Sequence, residues 1–165
     1  MMRLRGLNWL FWGSIAACFL LQLMPLPALL LPFKPYWLAL VLIYWMIELP
    51  ERVPLGLCFT LGLIADLLGG EVLGEQALRL CILCFIVLRF RSRLRFFPMW
   101  QQALAVLVLL LNDRVLLLLV RLFAGDPRPP VTFWLAPFTG TIMWPFVFLL
   151  LDDLRARLRV KESGA

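Results

Sequence analysis

Residues 53–70, VPLGLCFTLGLIADLLGG, are apolar enough for lipid at every position but one, Asp66. A carboxylate at membrane depth costs roughly 2.5 to 3.5 kcal/mol on insertion scales, so a segment that carries one needs something to compensate the charge. Gly69 and Gly70 lie seven and eight residues after Gly62, and Asp66 lies four after it, which puts all four on one face of a helix. Lipid supplies no hydrophobic drive for helix association, so membrane bundles use small residues to bring backbones together and polar groups to bond across the contact. The expected arrangement is a packing face of Gly62, Gly69 and Gly70 against a neighbouring helix, with Asp66 paired inside it.

The rest of the chain agrees that this is a membrane segment. Only 16% of the 165 residues are charged, against about 25% in an ordinary soluble domain, and the mean hydropathy is +0.92. A bilayer core takes about 17 to 25 helical residues, and on that ruler six spans fall near 7–25, 35–49, 53–70, 73–89, 99–124 and 132–151. The breaks carry turn residues, as in PERVP and AGDPRPP. The fold class is therefore an all-α integral membrane bundle, expected to form a single membrane-embedded domain over residues 1–165. The basic start and apolar run from Leu7 to Met24 resemble a secretory signal, but 18 apolar residues without a small-x-small cleavage site point to a retained helix.

The net charge of +6 reads as a topological signal rather than as a nucleic-acid footprint. With six spans and a cytoplasmic N-terminus, 11 of the 16 basic residues, from Arg3 to Lys161, lie on inside segments. The outside loops hold only Lys34 and Arg128, while Arg79, Arg114 and Arg121 lie within spans. Both termini are accordingly expected in the cytoplasm. Trp9, Trp12 and Trp100 sit near inner ends, and Tyr36, Trp37 and Trp134 near outer ends, as an aromatic belt requires; Trp45 and Trp144 lie too deep for one. In the first span, Gly13 with Ala17 and Ser14 with Cys18 make small-xxx-small pairs suited to helix docking. The tail LLLDDLRARLRVK reads as a basic anchor at the cytoplasmic exit.

Counting 1.5 Å per residue puts Asp66, Arg79, Asn112, Asp113 and Arg114 in the outer half of the membrane, with Arg121 on the face of Arg114 but nearer the surface. The simplest scheme pairs Asp66 with Arg79 or Arg114, and Asp113 with another arginine. Arg79 is favoured because a short loop makes the third and fourth helices neighbours. Three roles stay open for this cluster: an ion-paired network that fixes helix packing, a small-ligand site, and a contact for a partner protein.

Catalytic signatures are poor. The chain has no histidine, no GxxxxGK[ST] phosphate loop and no GxSxG elbow. Cys81 and Cys84 spell CxxC but lack a second pair, and all four cysteines lie in apolar segments, where they act as small hydrophobes. Asp66 and Asp113 do not suit a hydrolytic dyad when each has an arginine at matching depth. No catalytic residue, metal or cofactor is expected, and the chain reads as a non-enzyme.

Residues 35–78 carry PYW, LIYW, the turn formed by Pro50, Arg52 and Gly56, and GLxxDLLxGxxLG from Gly62 to Gly74. This region resembles the signature of the MreD family of rod shape-determining membrane proteins; beyond residue 90 the likeness is one of hydropathy. The resemblance implies a non-enzymatic scaffold of the bacterial cell-elongation machinery in the inner membrane, required for lateral peptidoglycan synthesis. The implied partner is MreC, with MreB, RodA and a class B penicillin-binding protein reached indirectly, alongside membrane lipid and no nucleic acid. It also implies a fold similar to the S components of energy-coupling-factor transporters, and hence an alternative function as a solute-binding or transport module using the outer-half cluster.

Overall fold

The computed structural model describes residues 3–70, 72–125, 127 and 129–163, so Arg128 lies outside the described residues. Six helices follow one another: α1 (Arg3–Leu23), α2 (Trp37–Glu48), α3 (Leu55–Gly69), α4 (Glu75–Leu94), α5 (Met99–Ala124) and α6 (Leu135–Ser163), with no strand among the described residues. Short 3-10 turns at Leu31–Phe33, Pro50–Arg52 and Val131–Trp134 lead into α2, α3 and α6. The last two of these begin at or just after a proline, whose fixed φ and missing N–H suit the first turn of a helix.

The helices alternate in direction. One end of the bundle gathers the start of α1, the end of α2, the ends of α4 and α6, and the start of α5. This is seen in the bonds of Arg52 to Asn8, Arg155 to Glu48, Arg91 Nε to the Ile47 carbonyl (3.1 Å) and Gln102 Nε2 to the Leu94 carbonyl (3.0 Å). It is called the Glu48 end, and the opposite one the Tyr36 end.

Helix α2 is the centre of the molecule. Ten of its twelve residues, Leu38 to Ile47, are buried, because α1, α4 and α6 pack around it. A helix that is apolar all round belongs in an interior, and one enclosed by other helices is freed from matching the bilayer thickness. Among the described residues three helices are long and apolar enough to cross a membrane: α1 over Gly6–Leu23, α5, and α6 with its preceding turn. The deep tryptophans are explained by the same centre. Trp45 and Trp144 are fully buried, and Trp45 Nε1 donates to Ser14 Oγ at 3.0 Å, whereas Trp9, Trp12 and Trp100 are exposed at the Glu48 end.

The small residues of α1 lie at its contact with α2 and beside an apolar groove. Ser14 and Cys18 dock against α2, with Cys18 Sγ 3.6 Å from the Trp37 carbonyl. Gly13 and Ala17, together with Ser14 and Cys18, line an apolar groove of about 320 Å³ between α1, α2 and α6. The cysteines also depart from expectation: all four read as small hydrophobes, yet Cys58 of α3 and Cys84 of α4 are joined as a disulfide.

Candidate functional site

The Tyr36 end is organised by the turn between α3 and α4. Gly70 closes α3 in the left-handed conformation (φ +65°), and Gly74, at φ +96°, opens α4; both angles suit a residue without a Cβ. The turn brings the first amides of α4 over the last turns of α3. There Asp66, fully buried, accepts a bond from Gly74 N–H on Oδ2 (2.8 Å) and another from Gln76 N–H on Oδ1 (2.9 Å). These donors belong to the set that every helix start leaves open, and the dipole of α4 adds positive potential at the same place.

This corrects the expected ion pair: Asp66 caps a helix and does not pair with Arg79 or Arg114. A buried carboxylate that accepts two backbone bonds is compensated without a cation. Arg79, one turn into α4, is held by two other acids. Its Nε lies 3.2 Å from Asp113 Oδ1 on α5, and its Nη1 3.4 Å from Glu75 Oε1 on α4 itself; all three side chains are buried. The guanidinium also lies over the ring of Tyr36, 5.4 Å from its centroid, and Tyr36 OH donates to Gln76 Oε1 at 3.3 Å. Four helices thus meet through Tyr36, Asp66, Gln76, Arg79 and Asp113.

The glycine face is corrected as well. Of these three, Gly62 alone is a packing glycine: a Cβ there would come within 2.3 Å of the Ala77 Cα, so α3 and α4 touch backbone to backbone at this level. Gly69 is exposed and lines a cavity, and Gly70 terminates the helix with open space beside it. The three glycines share a helix face but not a role.

Next to this junction opens a cavity of about 330 Å³. Its wall includes Arg79, Asp113, Arg114 and Arg121, with Gln22 from the last turn of α1 and Lys34 from the α1–α2 connection. Arg114 lies over the ring of Phe133 at 4.8 Å, and Lys34 Nζ donates to the Gln22 carbonyl at the end of α1. Arg79, Asp113 and Arg114 therefore line one space, and Asp66 stands behind its wall, bonded to the Gln76 amide. Residues that the sequence reading did not single out here are Glu75, Gln76 and the ring of Tyr36. The i,i+4 spacing of Glu75 and Arg79 was a usable signal for the first. Among the described residues no group of three or more Cys, Asp or Glu side chains has the arrangement of a metal set.

Residues 4–154 match the family model described as rod shape-determining protein MreD. A curated relative, the rod shape-determining protein MreD of Haemophilus influenzae, is 34% identical over 142 residues, covering 86% of this chain and 88% of its own length. No solved structure matches at a significant level. A match that spans nearly the whole chain, together with this identity, establishes kinship: the chain belongs to the MreD family of rod shape-determining proteins.

Proposed function

We propose that this protein is a non-enzymatic membrane scaffold of the bacterial cell-elongation complex, acting with MreC to sustain lateral peptidoglycan synthesis. A role in rod shape follows from the family, and the family match over residues 4–154 is the observation that carries the reading. The structure is compatible with a scaffold in two ways. Its buried acids are bonded to Arg79 or to helix amides, which leaves them no free role as nucleophile or base. Its centre is an enclosed helix, which suits a part that positions other proteins.

The orientation proposed is the Glu48 end in the cytoplasm of a bacterium and the Tyr36 end facing outward across the inner membrane. Arg52, Arg89, Arg91, Arg93, Arg95 and the arginines of the α6 tail gather at the former, which supports it by the positive-inside rule. MreB, RodA and a class B penicillin-binding protein are reached through MreC in this reading.

Depletion in a rod-shaped host, followed by imaging and by pull-down of MreC, tests the proposal. Rounded cells and recovery of MreC are expected; unchanged rods in a host without a second copy of the gene would sink it. The cavity at the Tyr36 end keeps a solute-binding module as the second reading. Thermal-shift screening against vitamins and metals addresses that one, since a ligand bound only by the folded state raises the unfolding temperature.

A further inference from the structure

The net charge of the chain sits at the Glu48 end. Eleven of the 16 basic residues lie on the segments that meet there, from Arg3 at the start of α1 to Lys161 in the tail of α6. The whole sequence places only five acids with them, Glu48, Glu51, Asp152, Asp153 and Glu162, so cations exceed acids at this end by the full net charge of +6. Three of those acids are already engaged: Glu48 and Asp152 with Arg155, and Asp153 with Arg157. Between Glu75 and Asp113 the sequence holds no acid at all, yet Arg89, Arg91, Arg93 and Arg95 fall there.

The end of α4 sorts these arginines by face. The helical repeat puts Leu78, Phe85, Arg89 and Arg93 within about a quarter of the circumference, and all four are exposed. Arg91, on the opposite side, turns inward to the Ile47 carbonyl. Among the described residues, the ion pairs and side-chain hydrogen bonds of this end engage Arg52, Arg91, Arg155 and Arg157, and leave out Arg89, Arg93 and Arg95. The turn into α5 then exposes Phe96, at 86%, followed by Phe97 and Trp100. An apolar stripe that ends in two guanidinium groups has the order of a phospholipid, tails first and phosphate after. Leu78 lies eleven residues before Arg89, about 16 Å along the helix, close to half of a bilayer core of about 30 Å. Arg89 and Arg93 are one turn apart, about 6 Å, so both forks can take oxygens of one phosphate. Aromatic rings favour the headgroup level. An acidic protein segment would satisfy the arginines but would leave Leu78 and Phe85 without a function.

We propose that the exposed face of α4 at the Glu48 end is a site for an anionic phospholipid, its phosphate held between Arg89 and Arg93, with Arg95 at the rim and the tails running along Phe85 and Leu78. The positive-inside rule asks only that cations lie on this side of the membrane. It does not ask for two on one exposed stripe, in line with apolar side chains and beside three aromatic rings. The scaffold reading does not need this site, and the test needs neither a partner protein nor a cell.

The full chain is placed in nanodiscs of phosphatidylcholine with and without phosphatidylglycerol; both faces of a nanodisc are open, so orientation does not enter. Phosphatidylglycerol is expected to raise the unfolding temperature by about 3 °C and to stay bound to the protein in native mass spectrometry. Both effects are expected to fall by more than half in R89Q/R93Q and to persist in R157Q/R159Q, which removes the same charge from the α6 tail. A soluble polyglutamate peptide added to the phosphatidylcholine discs is expected to leave the unfolding temperature unchanged. No effect of phosphatidylglycerol, equal losses in the two double variants, or a peptide shift as large as that of the lipid overturns the proposal. Should R89Q/R93Q fail to fold, lipid retention by R89Q decides: retention equal to that of the unaltered protein overturns the site, and reduced retention upholds it.

Discussion

The two ends of the bundle use similar residues for different results. At the Glu48 end, Arg155 of α6 lies 2.7 Å from Glu48 and 3.3 Å from Asp152, and over the Tyr44 ring, while Arg91 donates to the Ile47 carbonyl at the last turn of α2. The cations there close the C-terminal end of α2, where a helix presents open carbonyls and negative potential. At the Tyr36 end, Glu75 and Asp113 pair with Arg79, Asp66 caps the start of α4, and Lys34, Arg114 and Arg121 help to line a cavity beside them. One end is a fastening and the other a fastening with a cavity beside it. What separates them is depth: the side chains of Arg79, Glu75 and Asp113 are at most 6% exposed, whereas Asp152 is 47% exposed and water shares its charge.

That difference predicts an order of effects. Arg79→Ala is expected to cost most, about 3 to 5 kcal/mol in denaturant unfolding of the detergent-solubilised protein, because it leaves Glu75 and Asp113 buried without their cation. A cost below about 1 kcal/mol would mean that the Tyr36 end is not held by this pair. Asp66→Ala should follow at about 2 kcal/mol, the loss of two charge-assisted bonds at the start of α4. A double-mutant cycle with Arg79 sharpens the point: cap and ion pair are separate devices, so the two costs should add within about 0.5 kcal/mol. Rescue of Asp66→Ala by neutralising Arg79 would restore the direct ion pair in place of the cap.

Arg155→Ala is expected to cost less, about 1 to 2 kcal/mol, since water can reach part of what it leaves behind. If it cost more than Arg79→Ala, the contrast between the ends would be inverted. Smallest of all should be Arg157→Ala. Its pair with Asp153 is 2.8 Å long but both side chains are more than half exposed, so a change within about 0.5 kcal/mol is expected by the same unfolding measurement.

The boundaries that the sequence revealed are those set by lipid. Helix α5 runs from Met99 to Ala124, as its apolar stretch indicates, because one element both spans and ends there. Helices α4 and α6 instead continue to Leu94 and Ser163, past the apolar segments expected to stop at 89 and 151. Hydropathy marks where a chain leaves lipid, and a basic segment such as LRARLRV can remain helical after it has left. Helix α2 shows the reverse: its apolar run suggested a span of 35–49, yet the helix covers twelve residues and is enclosed. An apolar run reads the same whether its neighbour is lipid or protein.

The site was legible in membership more than in connection. Charge, depth and helical periodicity singled out Asp66, Arg79, Asp113 and Arg114, because a charged side chain in an apolar segment is visible in one dimension. Their partners were not visible. Ranking partners for Asp66 by opposite charge left out the backbone, yet a loop as short as the one after Gly70 forces the first amides of α4 to face the end of α3. The role of Gly62 likewise depended on Ala77 crossing directly above it. By itself the sequence determined a helical membrane protein of the MreD family with ionisable residues at depth, since composition and local pattern carry those properties. Only the tertiary structure decided that Asp66 caps a helix, that Arg79 joins two acids, and that Lys34, Arg114 and Arg121 line one cavity. Those outcomes depend on which groups come within about 3 Å of one another, and the helix crossings set that distance.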